Sequence, residues 1–300
     1  MGQTETPKTL RVGCAPRTLR VGCAMWANRA WVGRYFPADT PVGRELVPYS
    51  SWCTAVEGNT TFYGLPSDAS VARWAADAPE EFRFMFKLPE LITHKYRLRS
   101  CEAELAEFLN RLEPLGDRCA PFSIQLPASF EPDDLTALAR FLDELTGDHV
   151  WGVEVRHPRF CDGGDDERRL NDLLAHHQAE RIIIDTRAVF AGPRETAEER
   201  EAFERKPRLT VRPVAIGDYP VVRFIGQTDG QANPQWWAKW VPKVAQWLEE
   251  GRSPTVFLHT PDNHVAPELA RQFHGEVAAL VDDLAPLPSP VQAASQQTLI

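Results

Sequence analysis

FRFMFK, residues Phe82–Lys87, alternates three phenylalanines with an arginine, a methionine and a lysine, and Pro89 follows closely behind. Successive side chains of an extended strand point to opposite faces, so Phe82, Phe84 and Phe86 share one face and Lys87 belongs to the other. Similar short β-rich runs occupy 19–24, 54–59, 121–126, 151–156, 181–185, 221–225 and 255–259. Amphipathic helical patterns lie between them. One carries Cys101, Leu105, Phe108, Leu109 and Leu112, and another Leu135, Leu138, Phe141, Leu142 and Leu145 behind Pro132. A third starts at Asn233-Pro234 and continues through Trp236, Trp237, Trp240, Val244 and Trp247. The last has Leu269, Phe273, Val277 and Leu280 after Pro267. Eight strands, each followed by a crossover, predict α/β architecture as a single (β/α)8 TIM-type barrel. A doubly wound sheet would carry a G-x-G-x-x-G turn after a strand, and none is present.

The chain has 300 residues, 43% hydrophobic and 25% charged, which is ordinary globular usage. Its net charge of -9 argues against non-specific binding to nucleic acid or anionic lipid. No apolar run approaches the roughly 18 residues that span a bilayer, so no membrane role is expected. The polar start, Met1 to Lys8, lacks the apolar stretch of a signal peptide. The six cysteines form no C-x-x-C pair and read as reduced thiols of a cytoplasmic protein. TLRVGCA occurs twice, at Thr9–Ala15 and Thr18–Ala24. The second copy runs directly into the rest of the pattern and is taken as the first strand. Residues 1–17 then form an N-terminal extension, 18–284 the barrel, and 285–300 a disordered tail. The weak link is the long charged stretch 186–220, where a regular crossover is hard to place.

If the apolar parity of each strand faces the helices, the opposite parity faces the barrel interior. Near the C-terminal strand ends that second set contains Glu57, Asn59, Lys87, Gln125, Glu154, Arg156, Asp185, Arg223 and His259. Unpaired buried charges cost several kcal/mol each, so a barrel built for stability alone would place aliphatic residues there. The pattern predicts an active site at the C-terminal mouth. A self-compensated ion network of three carboxylates and three cations is the structural alternative. The loops add His94, His157, Asn263 and Trp26, the last in an aromatic loop with Trp31, Tyr35 and Phe36 that either stacks on a ring or packs as a lid.

VEGNTTFYGLP (Val56–Pro66), FRFMFKLPELITH (Phe82–His94), FSIQLPASF (Phe122–Phe130), VEVRHPRF (Val153–Phe160) and HTPDN (His259–Asn263) resemble the YecE-like family, domain of unknown function 72. The likeness spans about 20 to 280 in order. It implies a TIM-type barrel without a settled activity, and directs attention to Glu57, Asn59, Thr61, Tyr63, Lys87, His94, Gln125, Glu154, Arg156, His157 and Arg223. One departure stands out. Where the family commonly has Arg-x-His-Gly on the seventh strand, this chain has Arg223-Phe224-Ile225-Gly226.

Three chemistries suit such a mouth. In the first, Lys87, Arg156 and Arg223 clamp a phosphorylated or nucleic-acid-derived substrate while Glu57 or Glu154 acts as general base. The substrate contacts would come from Asn59, Tyr63, His94, Gln125, His259, Asn263 and Trp26. In the second, Glu154, His157, Asp185 and His259 hold a divalent metal that activates water. In the third, Glu57 and Glu154 are the acid and base of a glycosidase; it ranks last because neighbouring cations should keep both ionised. A non-catalytic anion-binding scaffold is the other class. Gln296, Leu299 and Ile300 resemble the loose pentapeptide by which bacterial proteins dock on the sliding clamp.

Overall fold

In the computed structural model, which describes residues 18–290, eight short apolar segments pair in parallel in the order β3-β2-β1-β8-β7-β6-β5-β4. They are β1 (Arg20–Cys23), β2 (Ala55–Gly58), β3 (Arg83–Phe86), β4 (Phe122–Gln125), β5 (Trp151–Glu154), β6 (Glu180–Asp185), β7 (Val221–Ile225) and β8 (Thr255–His259). The two ends of that order also meet. Leu88 donates its N–H to the Ser123 carbonyl at 2.9 Å and Ala120 to that of Phe84 at 3.1 Å, bringing β3 and β4 together. One principal helix follows each strand: α1 (Leu46–Trp52), α2 (Asp68–Asp77), α3 (Glu102–Leu112), α4 (Leu135–Glu144), α5 (Asp165–His176), α6 (Ala197–Arg205), α7 (Trp240–Glu249) and α8 (Ala266–Ala278). The expected (β/α)8 barrel is the observed fold, and the second TLRVGCA copy supplies β1. The first copy lies outside the described residues.

Outward-facing residues bury against the helices as one continuous core. Phe84 and Phe86 stack at 5.4 Å on β3, and Phe224 of β7 meets Trp237 edge-on at 5.6 Å. Each such side chain contributes roughly 1.5–3 kcal/mol by leaving water. Inside the barrel, Ala55, Met85, Ile182, Val221 and Phe257 form a separate apolar plug. Gly22 lets β1 and β2 close on each other there, since a Cβ at that position would lie 2.0 Å from the Ala55 carbonyl oxygen. The described cysteines, 23, 53, 101, 119 and 161, are all buried free thiols, and among the described residues no helix is long and apolar enough to cross a membrane.

Three expectations need correction. The helix starting at Pro234 is broken: a short turn, Pro234–Trp237, precedes α7. Pro242 lacks an N–H, and its ring would strike the carbonyl of Ala238 in a continuous helix, so it sits in the first turn of α7 instead. The tail is not loose from its first residue. Leu287 packs on the core, and the Pro288 carbonyl accepts a hydrogen bond from Arg271 at 3.0 Å. The third correction concerns β6, whose inward parity is Ile182 and Ile184 rather than Ile183 and Asp185. Ile182 belongs to the interior plug and Ile183 to the helix-facing core.

The stretch 186–220 forms α6 and wraps over the strand ends. Its start is fixed by a capping box: Thr196 Oγ1 accepts from the Glu199 N–H at 3.1 Å, and the Glu199 carboxylate accepts from the Thr196 N–H at 3.1 Å. Ala202 then packs against Ile184 and Ile225. Past the helix end, Thr186 at the tip of β6 donates to the Pro207 carbonyl at 2.8 Å. An otherwise polar helix is thereby held at the barrel mouth through Ala202 and its C-terminal end.

Candidate functional site

Two residues beyond the apolar plug, the same strands carry charge. Glu57 and Glu154 are fully buried, and Arg223 lies between them at 1% exposure. Arg223 grips Glu57 through two bonds, Nε to Oε2 at 2.6 Å and Nη2 to Oε1 at 2.7 Å, and donates through Nη1 to Glu154 Oε2. Lys87 Nζ lies 3.0 Å from Glu57 Oε1 and donates to Gln125 Oε1 at 3.0 Å. Arg156 donates to Glu154 Oε1 at 2.9 Å and to Gln125 Oε1 at 2.8 Å. His259 Nε2 completes the set, 3.1 Å from Glu57 Oε2.

Burial by itself would raise both carboxyl pKa values. For Glu57 the charges of Arg223 and Lys87, helped by the hydrogen bond from His259, overcome burial and hold it well below the ordinary range. For Glu154 burial is overcome by Arg223, Arg156 and Lys87, and the group titrates at about 2. Burial, opposed by Glu57, lowers His259 to about 4, so its imidazole is neutral at pH 7 and donates its Nε2 proton to Glu57. Burial, reinforced by Arg223 and offset by the two glutamates, lowers Lys87 to about 8. With both Glu57 oxygens already accepting two bonds each, this carboxylate positions cations and has little capacity left to take up a proton.

Above this floor opens a cavity of about 990 Å³ at the C-terminal end of the strands. Its lining includes Trp26, Glu57, Asn59, Tyr63, Lys87, His94, Gln125, Arg156, Arg223, His259 and Asn263, so most of the residues expected at the mouth do converge there. Glu154 lies just beneath, covered by Arg156 and Arg223. Asn59 is tied by its Nδ2 to the Ala24 carbonyl at 2.9 Å, and Thr61 donates to the Lys87 carbonyl at 2.7 Å, which ties the end of β3 to the β2 loop. Trp26 packs edge-on against Trp74 at 5.1 Å and forms one wall with it, whereas Tyr63 stands at the rim, 79% exposed. Trp31 is fully buried and donates to the Asn263 carbonyl at 2.9 Å; it packs the loop and does not line the cavity.

His94 sits on the wall. The hydroxyl of Thr93 donates to the Pro89 carbonyl at 3.3 Å and lies 2.8 Å from His94 Nδ1. The imidazole tautomer sets the direction of the Thr93–His94 bond: where the hydroxyl proton stays on Pro89, Nδ1 donates and Nε2 accepts. Burial, with Arg156 adding to it, lowers the pKa of this imidazole and keeps it neutral.

Two expected residues stay outside. Asp185 faces the helix layer, where it accepts from Arg187 Nη2 at 2.7 Å and from Trp240 Nε1 at 2.8 Å, because the inward parity of β6 is the other one. His157 caps a short turn, accepting from the Arg159 N–H at 3.4 Å, and does not line the cavity. The proposed metal set of Glu154, His157, Asp185 and His259 is therefore not assembled. Among the described residues no group of three or more His, Cys, Asp or Glu could hold a metal ion. Gln296, Leu299 and Ile300 lie outside the described residues.

The sequence reading missed the wall supplied by α6 and its end: Glu198, Glu201, Ala202, Arg205 and Lys206. The Thr196-x-x-Glu199 capping box was a visible sign of a helix start in a stretch left unassigned. Nothing in the sequence, however, says that this helix turns back over the mouth. Ile225, at the departure from the family pattern, also lines the cavity and packs against Ala202.

The chain is similar to known proteins of one family. A UPF0759 protein YecE from Escherichia coli (strain K12) is 37% identical over 270 residues, covering 90% of this chain and 96% of the relative. A crystal structure of a DUF72 family protein from Thermotoga maritima superposes with a TM-score of 0.64 at 20% identity, over 86% of this chain and 98% of that one. Another, from Enterococcus faecalis, gives 0.62 at 19% identity, over 86% and 97%. At such identities these two speak for the fold alone. The model of the family described as "Protein of unknown function DUF72" matches residues 20–294, and with the E. coli relative it shows that the chain belongs to the DUF72 family.

Proposed function

We propose that the barrel mouth is the active site of an enzyme acting on a small anionic substrate, most suitably a phosphorylated one. The observation that carries this reading is the surplus of cations at the cavity floor. Lys87, Arg156 and Arg223 stand there against two carboxylates, Glu57 and Glu154. A network serving only itself would balance its charges, and this one leaves positive potential directed into a cavity. Lys87 and Arg156 supply donors of the kind that bind phosphate, while Glu57 and Glu154 fix their positions from below.

The upper walls favour a small ligand over nucleic acid. Glu45, Glu90, Glu198 and Glu201 line them alongside Arg73 and Arg205, so a polyanion would meet carboxylates before reaching the floor. Glycosidase chemistry fits poorly, because it needs one carboxyl protonated near neutral pH and Glu154 is held at about 2.

Isothermal titration with inorganic phosphate and pyrophosphate tests the reading. Both should bind, and Arg156→Gln should weaken them by about tenfold, or ~1.4 kcal/mol. Absence of binding at millimolar concentration, or equal affinity in the variant, would overturn it.

A further inference from the structure

The mouth holds two lysines whose situations differ. Lys87 is committed: it pairs with Glu57 and bonds Gln125, both at 3.0 Å. Lys206 lines the same cavity, partly buried. Among the described residues its ammonium has no carboxylate within salt-bridge distance and no hydrogen-bond partner. Its position is nonetheless fixed. Its N–H caps α6 by donating to the Ala202 carbonyl at 3.1 Å, and the next carbonyl, that of Pro207, is held by Thr186. A lysine anchored by its backbone and left without an ionic partner is poorly explained as a stabilising residue.

We infer that Lys206 is the reactive amine of this site, whose Nζ adds to the carbonyl carbon of a small phosphorylated aldehyde or ketone and holds it as an imine. The inference rests on the anion-binding reading above and names the substrate class. Two features support it besides the missing partner. Burial, followed by the charges of Arg223 and Lys87, lowers the Lys206 pKa to about 8, so roughly a tenth of it is free amine at pH 7. In addition, Ile184, Ile225 and Ala202 form an apolar patch beside the end of α6, suited to the uncharged amine.

In the step, the nitrogen lone pair forms the C–N bond while the carbonyl π pair moves to oxygen. A proton leaves nitrogen and one joins oxygen, giving a carbinolamine. Loss of that oxygen as water, with a second proton supplied, leaves the protonated imine. Nothing is oxidised or reduced. His94, kept neutral by burial, lines the same cavity and offers an imidazole for the proton shed by nitrogen. Lys87 and Arg156 would hold the phosphate meanwhile. An iminium carbon draws electrons from the adjacent bond, so the chemistry served is cleavage or proton transfer next to a carbonyl.

Incubation with glyceraldehyde 3-phosphate and sodium cyanoborohydride, followed by peptide mass mapping, tests the inference. Borohydride reduces the imine to a stable secondary amine. The full-length protein should acquire an adduct at Lys206 at least tenfold faster than at Lys95 or Lys239, which are exposed. Unphosphorylated glyceraldehyde should lose that preference, and pyrophosphate should suppress it. Lys206→Arg, shown to be folded by circular dichroism, should lose the adduct; if it does not fold, the wild-type peptide map still decides. Labelling at Lys87 instead, or equally across lysines, overturns the inference. If phosphate binds in the titration and Lys206 is not labelled, only this inference fails. If phosphate does not bind, the reading beneath it fails too.

Discussion

Ala55, Met85, Val221 and Phe257 line the barrel at one level, and Glu57, Lys87, Arg223 and His259 line it two residues further along the same strands. Both levels are almost fully withdrawn from water. What differs is the physics holding them. The apolar level gains from area removed from water and asks only for the right volume. The charged level must recover the desolvation of each ion through its neighbours, so it is as strong as its most connected member. That member is Arg223, bonded to both glutamates. The comparison separates a plug that keeps the barrel folded from a layer suited to holding charge in place for a ligand.

The difference should be widest when Arg223 is replaced by methionine, which keeps much of the volume and removes the charge. Glu57 would retain Lys87 and His259, and Glu154 only Arg156. We expect a loss of about 3–5 kcal/mol in urea-induced unfolding, the range for breaking a buried pair from one side. A loss below ~1 kcal/mol would mean that the guanidinium is dispensable and the two levels are alike.

Acid should separate the levels next. Glu154 titrates at about 2 in the folded chain against an ordinary value of 4.5, so its contribution is complete above pH 4.5 and disappears as pH falls through 2. It is on the order of 3 kcal/mol. His259 is lowered from 6.5 to about 4, so the unfolded chain takes up its proton first, and stability begins to fall below pH 6.5. Unfolding free energies between pH 7 and pH 2.5 should decline through both windows, and Glu154→Gln should flatten the lower one. A profile unchanged by that variant would show that Glu154 is not held ionised by its partners.

The same contrast explains what could be seen in the sequence. On β2, β3, β5, β7 and β8 one parity is apolar and the other turns polar near the end, so Glu57, Lys87, Glu154, Arg223 and His259 could be placed without coordinates. On β6 the run Ile182-Ile183-Ile184 makes both faces equally apolar, and alternation carries no information there. Parity alone therefore puts Asp185 on the wrong face. Lys206 was hidden differently. A capped polar helix looks the same whether it faces solvent or folds over a cavity, and what brings it back, Ala202 against Ile184 and Ile225, is a contact between distant segments.

The smallest effect is the most specific to the apolar level. Met85→Leu conserves volume within the plug, two residues before Lys87 on the same strand, and should cost less than ~1.5 kcal/mol. Like Arg223→Met it exchanges one buried side chain for another of similar bulk, but it removes no charge. If the levels act separately, phosphate and pyrophosphate affinities in the Met85→Leu protein should stay within twofold of the parent. A tenfold loss measured by the same titration would mean that the plug sets the height of Lys87 and its partners. The apolar residues would then belong to the binding machinery through their packing, and the division between the levels would have to be abandoned.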